Sequence, residues 1–326
     1  MATSLSPLHL VGNFSNTFTG AERELPDLAD LLKDRRPTRM WSVLPPHPSY
    51  ARLGVLPIKP FGGQVPRGGM LLIGGVHVGL DLWLKQAQPE RVALRYNLGQ
   101  HERLYAMIDA LRDVTGLEPE LLFVSQALRL GAGLPGTIER SLIRLEPYLQ
   151  NPIERAPHPR FTIGRVSRDT PEKHHKDDPA LYRMLAARGY QVRIMGGTCL
   201  APQLAGVPGV ELLPAGAEEV PAFYQTLDAM FYRPGIFNEP YGRVVFEAMA
   251  SGLPVVASAV GGYAECMDDG VNGFLVRSQE QAIERLEMLA NNKGLSAYIG
   301  RAARQRAIQL HGSLAIEAQL QYFLSY

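Results

Sequence analysis

The chain has 326 residues, of which 46% are hydrophobic and 20% are charged. This is an ordinary composition for a globular protein with more than one hydrophobic core, and the length predicts two domains of about 150 residues each. A formal net charge of +1 argues against a nucleic-acid partner, because it gives no general positive field to attract one.

The cysteine content and the N-terminal residues bear on compartment. Only Cys199 and Cys266 occur, far apart and without further ligands at metal spacing, which predicts a reducing environment and no zinc site. Residues 1–11 lack the basic stretch and long apolar core of a signal peptide, and no run approaches about 18 apolar residues. We therefore expect a cytoplasmic protein, with peripheral association at the inner face of the membrane left open.

Short apolar runs alternate with longer helical patterns in the first half of the chain, which predicts βαβ units and a parallel sheet. A helix is expected over residues 21–32, where four leucines form one stripe and Pro26 either opens or kinks the helix. The expected strands are Leu8–Val11, Met40–Leu44, Met70–Ile73, Arg91–Leu94 and Leu121–Val124.

Three prolines between Asn151 and Arg160 predict an extended connector, after which a second α/β domain begins. Its expected strands are Phe161–Ile163, Gln191–Met195, Val210–Leu213, Ala229–Phe231, Val255–Ala257 and Gly273–Val276. Its expected helices are Pro179–Arg188, Val220–Thr226, Val244–Ala250, Gln279–Ala290 and Leu295–His311, with a last helix over Leu314–Phe323.

Residues 231–257 predict a strand, a loop, a helix and a further strand, and they carry the strongest chemical signal. Pro240 and Gly242 bracket the turn before the helix, so the first backbone N–H groups of the helix can face an anion such as a diphosphate. Glu239 before the turn and Glu247 on the helix can line the same cleft, where carboxylates accept hydrogen bonds from sugar hydroxyls. Taken singly, each glutamate is better explained as a solvated or helix-dipole carboxylate.

The stretch Glu239–Ala257, followed by Gly261, Gly262, Glu265 and Asp269–Leu275, resembles the paired-glutamate motif of the retaining glycosyltransferases of family 4, also called group 1. The resemblance implies the GT-B fold, an α/β architecture in which two Rossmann-like domains face a central cleft. The implied domains are residues 1–155 on the acceptor side and 156–310 for the nucleotide-sugar, with 311–326 forming a helix that crosses back toward the first domain.

The resemblance also implies roles for individual residues. Glu239 would contact the donor sugar and Glu247 the ribose, while Arg165, which follows an apolar strand, would neutralise the leaving diphosphate. Lys173 is our choice for the lysine of that motif, and Lys176 is held in reserve. The donor phosphates would be bound by the residues between the two glutamates, namely Tyr241, Gly242, Arg243 and Val244.

The first domain carries weaker signals. Residues 12–23 resemble the glycine-rich loop of the family and place Gly20 near the donor phosphates. Relatives often have a histidine after an internal strand of this domain, where this sequence has Asn97. His101 is our catalytic candidate ahead of His77, and the alternative for either is a structural polar residue.

The implied function is retaining transfer of a sugar from a nucleoside-diphosphate-sugar to a sugar, lipid-linked or other hydroxyl acceptor, in glycan, glycolipid or polysaccharide synthesis. No cofactor and no metal are expected, since the chain contains no Asp-x-Asp triplet. The alternatives are a nucleotide-sugar epimerase or phosphorylase of the same fold, or a non-catalytic nucleotide-sugar-binding protein. An NAD-dependent dehydrogenase is disfavoured, because no Gly-x-Gly-x-x-Gly stretch directly follows a predicted strand.

Overall fold

The computed structural model describes residues 5–16, 20–153 and 158–325, with the backbone alone at Gly20 and Ala21. The chain divides into two compact units: unit 1 is Met1–Leu142 with Ser313–Tyr326, and unit 2 is Ile143–Gly312. Each unit contains one parallel sheet with helices, so the predicted fold class of two Rossmann-like α/β domains is confirmed. Residues 17–19 of the expected glycine-rich loop and 154–157 of the expected connector lie outside the described residues.

The sheet of unit 1 confirms the five strands predicted there, with ends that differ by no more than two residues. Two further strands of two residues each lie at its edges, and they are too short to show the alternation by which strands are recognised. The strands are β1 (Leu8–Gly12), β2 (Thr38–Ser42), β3 (Leu56–Pro57), β4 (Met70–Ile73), β5 (Arg91–Tyr96), β6 (Glu120–Phe123) and β7 (Thr137–Ile138). Their order in the sheet is β3-β2-β1-β4-β5-β6-β7.

Both faces of this sheet are covered, which explains why β1 is buried along its whole length. Leu8 and Leu10 belong to one core cluster, to which the C-terminal helix contributes Leu320 and Phe323, whereas Val11 belongs to the cluster on the other face. The helices of unit 1 are α1 (Gly20–Leu32, with Pro26 inside it), α2 (Pro48–Arg52), α3 (Leu82–Ala87), α4 (His101–Thr115), α5 (Gln126–Ala132) and α13 (Ser313–Leu324).

One buried ion cluster ties three segments of unit 1 together. Arg95 on β5 is ion-paired with Glu24 on α1 at 3.1 Å and with Glu139, which directly follows β7. All three side chains are at most 3% exposed. Burial and the neighbouring Glu24 carboxylate raise the pKa of Glu139, although Arg95 opposes the shift. The Arg95 guanidinium therefore offsets the free-energy cost of burying the two carboxylates.

Unit 2 repeats the plan with a six-stranded parallel sheet. Its strands are β8 (Thr162–Val166), β9 (Gln191–Met195), β10 (Val210–Leu213), β11 (Ala229–Tyr232), β12 (Val255–Ser258) and β13 (Phe274–Val276). They lie in the order β10-β9-β8-β11-β12-β13. All six strands were predicted, and β9 and β10 have the predicted bounds.

The helices of unit 2 pack against both faces of this sheet and enclose its core. They are α6 (Glu146–Leu149), α7 (Asp178–Ala187), α8 (Ala201–Leu204), α9 (Val220–Gln225), α10 (Arg243–Ala250), α11 (Gln279–Asn291) and α12 (Lys293–His311). The short helices α6 and α8, of four residues each, were not predicted. Among the helices described in either unit, none combines the length and apolar character needed to cross a membrane.

The ion cluster gives the first prediction. Arg95→Leu leaves Glu24 and Glu139 buried without their guanidinium, and we expect it to lower the free energy of unfolding by about 3–5 kcal/mol. Urea unfolding followed by tryptophan fluorescence measures this, because both tryptophans, Trp41 and Trp83, belong to unit 1.

The matched control is Arg112→Leu, which removes an arginine whose ion pairs, with Asp109 and Glu118, lie on the surface. Exposed ion pairs contribute little to stability, so its unfolding midpoint should stay at that of the wild type. Equal losses in the two variants would contradict a special role for the buried cluster.

Candidate functional site

The strand order of unit 2 reverses between β8 and β11, because β9 and β10 lie on one side of β8 and β11 to β13 on the other. In open α/β sheets, ligands bind beyond the carboxyl ends of the strands at such a reversal, where the following loops diverge. Arg165 is the fourth residue of β8, and Tyr232 is the last residue of β11. The sheet therefore brings both residues to the position at which a ligand is expected.

The side chain of Arg165 is buried, with only 1% exposed, and it contacts three other residues. Its guanidinium lies over the ring of Tyr232, 4.8 Å from the ring centroid, and its Nη2 donates to the carbonyl oxygen of Lys173. Nη1 lies 3.9 Å from Oδ2 of the buried Asp178. Asp178 Oδ1 accepts hydrogen bonds from Nε and Nη2 of Arg233, at 2.8 and 2.6 Å. One buried carboxylate thus faces two guanidinium groups.

The carboxylate of Glu239 is where the predicted residues meet. Its Oε2 accepts a hydrogen bond of 2.8 Å from Lys173 Nζ and another of 2.8 Å from Tyr232 Oη. Burial by itself raises the pKa of Glu239, but the Lys173 charge, these two hydrogen bonds and Arg165 together hold that pKa below its usual value. The carboxylate is therefore ionised at neutral pH.

The loop that carries Lys173 is packed closely on the loop that carries Glu239. The backbone N–H of Ile236 donates to the carbonyl oxygen of Glu172 at 3.2 Å. A Cβ atom on Gly235 would lie 1.9 Å from the same oxygen, so a side chain at this position would push the loops apart. Lys176 lies three residues farther along in an exposed turn. Of the two lysines considered, the structure brings Lys173 to Glu239.

The start of α10 depends on glycine. Gly242 has φ +85°, and a Cβ atom there would lie 2.5 Å from Cδ1 of Tyr263. Gly261 has φ +120° and approaches the same ring, while the N–H of Gly262 donates to the carbonyl oxygen of Glu239 at 2.8 Å. The backbone can therefore turn tightly beside Tyr263, so that the amino end of α10 follows Glu239 by only a few residues. That end carries partial positive charge and favours anions.

The other predicted residues on this helix face different surroundings. Glu247 lies in the second turn of α10 and is 6% exposed, with Oε1 3.9 Å from Nε of Arg243. Tyr241 is buried: its ring stacks on Phe246 at 4.7 Å, and its Oη lies 2.9 Å from Nε2 of His311. The side chain of Tyr241 is thus part of the core, and only its backbone can serve a donor site.

Two predicted site residues belong to unit 1. His101 is the first residue of α4, with Nδ1 3.2 Å from Oη of Tyr96, and Gly20 is the first residue of α1. Asn97 directly follows β5 at the carboxyl edge of the sheet. His77 is exposed, and its Nδ1 lies 2.5 Å from Nη1 of Arg103. The roles expected for Gly20 and His101 remain predictions.

Three residues of the cluster were not found from the sequence. Tyr232 directly follows the predicted strand Ala229–Phe231, and Asp178 directly precedes the predicted helix Pro179–Arg188, but nothing in the local pattern marks either as a site residue. Arg233 gave a signal that could have been used, since it stands two residues after the predicted strand Ala229–Phe231, just as Arg165 stands two residues after Phe161–Ile163.

Among the described residues, no group of three or more His, Cys, Asp or Glu side chains could hold a metal ion.

Comparison with solved structures concerns the fold. HepE of Anabaena, in a structure described as a complex with UDP-glucose, superposes with a TM-score of 0.74 at 18% sequence identity, over 98% of this chain and 99% of that one. Sucrose-phosphate synthase from Thermosynechococcus elongatus superposes with a TM-score of 0.69 at 16% identity, over 98% of each chain. At these identities the likeness establishes the GT-B type of fold and leaves the substrates of this chain to be tested.

Comparison of sequences gives partial matches to curated relatives. The chain is 32% identical over 127 residues to D-inositol 3-phosphate glycosyltransferase of Salinispora arenicola, which is 38% of this chain and 28% of that protein. It is 36% identical over 95 residues to trehalose synthase of Pyrococcus horikoshii, 29% of this chain and 22% of that protein. The chain thus spans about a quarter of the length of these curated relatives.

A family model gives the assignment. The model of the glycosyl transferases group 1 matches residues 150–306, a range that contains β8 to β13 and the whole Arg165–Lys173–Glu239 cluster. The resemblance noted in the motif is thereby confirmed at the level of this family. The match to the model of the glycosyl transferases group 1 thus covers residues 150–306, just under half of the chain.

Proposed function

We propose that the chain is a retaining glycosyltransferase of family 4, which transfers a sugar from a nucleoside-diphosphate-sugar to an acceptor hydroxyl. The observation that carries the proposal is the meeting of Arg165, Lys173 and Glu239 at the switch point of unit 2, beside the amino end of α10. Two cations and a helix terminus suit a diphosphate, and an ionised carboxylate beside them suits the hydroxyls of the attached sugar.

The proposed roles follow the charges. Arg165, Lys173 and the backbone N–H groups over 241–244 would bind the diphosphate, and Glu247 would bind the ribose. The Lys173 ammonium has three N–H donors, of which only one is needed for Glu239, so others are available for a phosphate oxygen. Glu239 would accept hydrogen bonds from the transferred sugar. For unit 1, Gly20 remains the proposed phosphate contact and His101 the proposed catalytic contact.

The chemistry we propose needs no covalent nucleophile on the protein. As the bond from the sugar to the diphosphate breaks, negative charge grows on the leaving oxygen, and the cations and the dipole of α10 stabilise that charge. The acceptor hydroxyl then attacks from the side that the diphosphate leaves, so the anomeric configuration is kept. The protein groups named here would neutralise the diphosphate, and we propose a reaction without metal or other cofactor.

Substrates and location belong to the same proposal. UDP-glucose is the first donor to test, because HepE is described in complex with it. The acceptor would be a sugar, a lipid-linked sugar or another hydroxyl compound in glycan, glycolipid or polysaccharide synthesis. We propose no nucleic-acid partner, because a net charge of +1 gives no positive field to attract one. We propose that the protein acts in the cytoplasm, at the inner face of the membrane where the acceptor is lipid-linked.

Glu239→Gln tests the proposal directly. Wild type, given nucleoside-diphosphate-sugars and an acceptor panel, should release the nucleoside diphosphate and form a product with the anomeric configuration of the donor, as read by NMR. Glutamine keeps the shape of the side chain but replaces the ionised carboxylate that accepts a hydrogen bond from the sugar hydroxyl. We therefore expect turnover to fall about 10- to 100-fold.

The control for Glu239→Gln is Glu284→Gln, which neutralises an exposed carboxylate on α11 and should retain full activity. Unchanged turnover in Glu239→Gln, or an inverted product from the wild type, would contradict the proposal. Formation of a sugar phosphate that depends on added inorganic phosphate would instead indicate a phosphorylase. Sugar conversion on the nucleotide would indicate an epimerase, and donor binding without release a non-catalytic protein.

The two lysines make a matched pair. Lys173→Met removes the ammonium bonded to Glu239 and expected at the diphosphate, so kcat/KM for the donor should fall about tenfold or more. Lys176→Met removes an ammonium from the exposed turn three residues away and should leave kcat/KM within about twofold of wild type. Steady-state kinetics with varied donor measures both, and the reverse pattern would transfer the role to Lys176.

Gly242→Ala tests the backbone site. Alanine is strained at φ +85° by about 1–2 kcal/mol and meets the Tyr263 ring, so the amino end of α10 must shift. We expect the Kd for UDP to rise about tenfold, as measured by calorimetry. Gly189→Ala is the control, because Gly189 also has a left-handed φ, of +90°, but with open space around it. Equal Kd changes in both would indicate a general loss of stability.

A further inference from the structure

Tyr232 touches two of the proposed site residues at once. Its Oη donates to Glu239 Oε2 at 2.8 Å, and its ring lies under the Arg165 guanidinium at 4.8 Å. The ring of Tyr263 packs edge-on against it, with centroids 5.5 Å apart and planes at 87°. The side chain is 2% exposed, so it sits within the protein, where its ring is in contact with both Arg165 and Tyr263.

The hydrogen bonds to Glu239 are distributed unevenly between the two carboxylate oxygens. Oε2 accepts from both Lys173 and Tyr232, whereas Oε1 accepts no hydrogen bond from any residue in the described part of the chain. Lys173 and the tyrosine hydroxyl therefore engage the same carboxylate oxygen. The other oxygen keeps its acceptor capacity for a ligand hydroxyl.

The two donors to Oε2 differ in how firmly they are held. Lys173 is 27% exposed, belongs to a short turn and has a long flexible side chain. Tyr232 extends from a buried strand and has a rigid ring. An arriving diphosphate attracts the ammonium, whereas a neutral hydroxyl has no such charge attraction. Tyr232 is thus the contact that can keep Glu239 in place through a reaction.

We infer that Tyr232 is a positioning residue, which fixes Glu239 through Oε2 so that Oε1 is presented to a hydroxyl of the transferred sugar. This inference rests on the proposed function of the site and adds to it the residue that orients the carboxylate. Tyr232 itself makes no contact with the sugar or the diphosphate in this arrangement. It acts through Glu239 alone.

The protonation states fit this role. Burial, and then the Glu239 charge, raise the pKa of Tyr232 far above its usual value, so the hydroxyl keeps its proton over the whole working range of pH. In return, the hydrogen bond from Tyr232 is one of the contacts that lower the pKa of Glu239. Losing this bond raises the pKa of Glu239, and the carboxylate is then protonated at a higher pH than in the wild type.

The test is Tyr232→Phe, which removes the hydroxyl and keeps the ring that Arg165 and Tyr263 contact. We expect kcat with UDP-glucose, or with the donor found active, to fall about 5- to 30-fold, a loss of about 1–2 kcal/mol, which is at the lower end of what one hydrogen bond to a charged group contributes. The Kd for UDP should stay within about twofold of wild type. The acid limb of the pH profile of kcat/KM, which reports ionisation of the free enzyme, should move to higher pH.

Tyr263→Phe is the matched variant, because it removes a buried hydroxyl nearby that is bonded to Ser258 Oγ at 2.9 Å rather than to the carboxylate. The acid limb of the kcat/KM profile of Tyr263→Phe should lie at the same pH as in the wild type, whether or not its kcat changes. An equal shift of the limb in both variants, or wild-type kcat and limb in Tyr232→Phe, overturns the inference. A weakened Kd for UDP at full kcat also overturns it, because that pattern places the hydroxyl at the diphosphate.

The outcomes separate this inference from the proposed function. If wild type transfers sugar and Glu239→Gln is impaired while Tyr232→Phe is normal, the proposed function stands and only the positioning role fails. If wild type releases no nucleoside diphosphate with any donor and acceptor, the proposed function fails and the inference fails with it. Circular dichroism and the thermal midpoint of Tyr232→Phe should match those of the wild type closely enough to exclude unfolding at the assay temperature.

Discussion

The parallel pairing of β8 with β11 is the contact on which the candidate site depends. The two strands are distant in the chain, yet Ile163 and Gly164 lie opposite Ala229 and Met230. Gly164 suits this crowded position, since a Cβ atom there would lie 2.1 Å from a methyl group of Leu227. Because parallel strands point their carboxyl ends the same way, the pairing places Arg165 beside Tyr232. From that pair, Tyr232 reaches Glu239 and Arg165 reaches Asp178.

Charge balance gives the cluster its chemical character. Three cations, Arg165, Lys173 and Arg233, face two carboxylates, Asp178 and Glu239, which leaves one positive charge in excess beside the amino end of α10. A chain with almost no net charge overall thus has a local field suited to an anion. The Arg95 cluster of unit 1 also combines an arginine with two carboxylates, but it is buried from solvent. We expect it to contribute to stability.

Close backbone contacts hold the cluster together as much as the ion pairs do. Gly235 lets the Lys173 loop reach the Glu239 loop, and Gly242 and Gly261 let the chain turn against Tyr263. In each case a side chain would occupy space that another group already fills. Glycine at these positions therefore lets the backbone bring the charged groups close together. The side chains then reach their partners without large conformational adjustment. This is the condition for a preorganised electrostatic site.

The sequence alone determined the two α/β domains, the longer strands of both sheets, the longer helices of unit 2 and the turn into α10, because hydrophobic period, proline and glycine act over a few neighbouring residues. In the first half of the chain it gave bounds for one helix only, over residues 21–32. It also predicted Arg165, Glu239 and Glu247 as site residues, because they stand in one recognisable motif or close to the end of a predicted strand. It missed the two-residue strands β3 and β7, which tertiary pairing creates. The sequence already preferred Lys173 to Lys176, but only the tertiary structure brought Lys173 to Glu239. It also turned the side chain of Tyr241 into the core and joined Tyr232 and Asp178 to the cluster. Those decisions depend on contacts between distant strands and loops, and no local pattern in the chain encodes which atoms will meet.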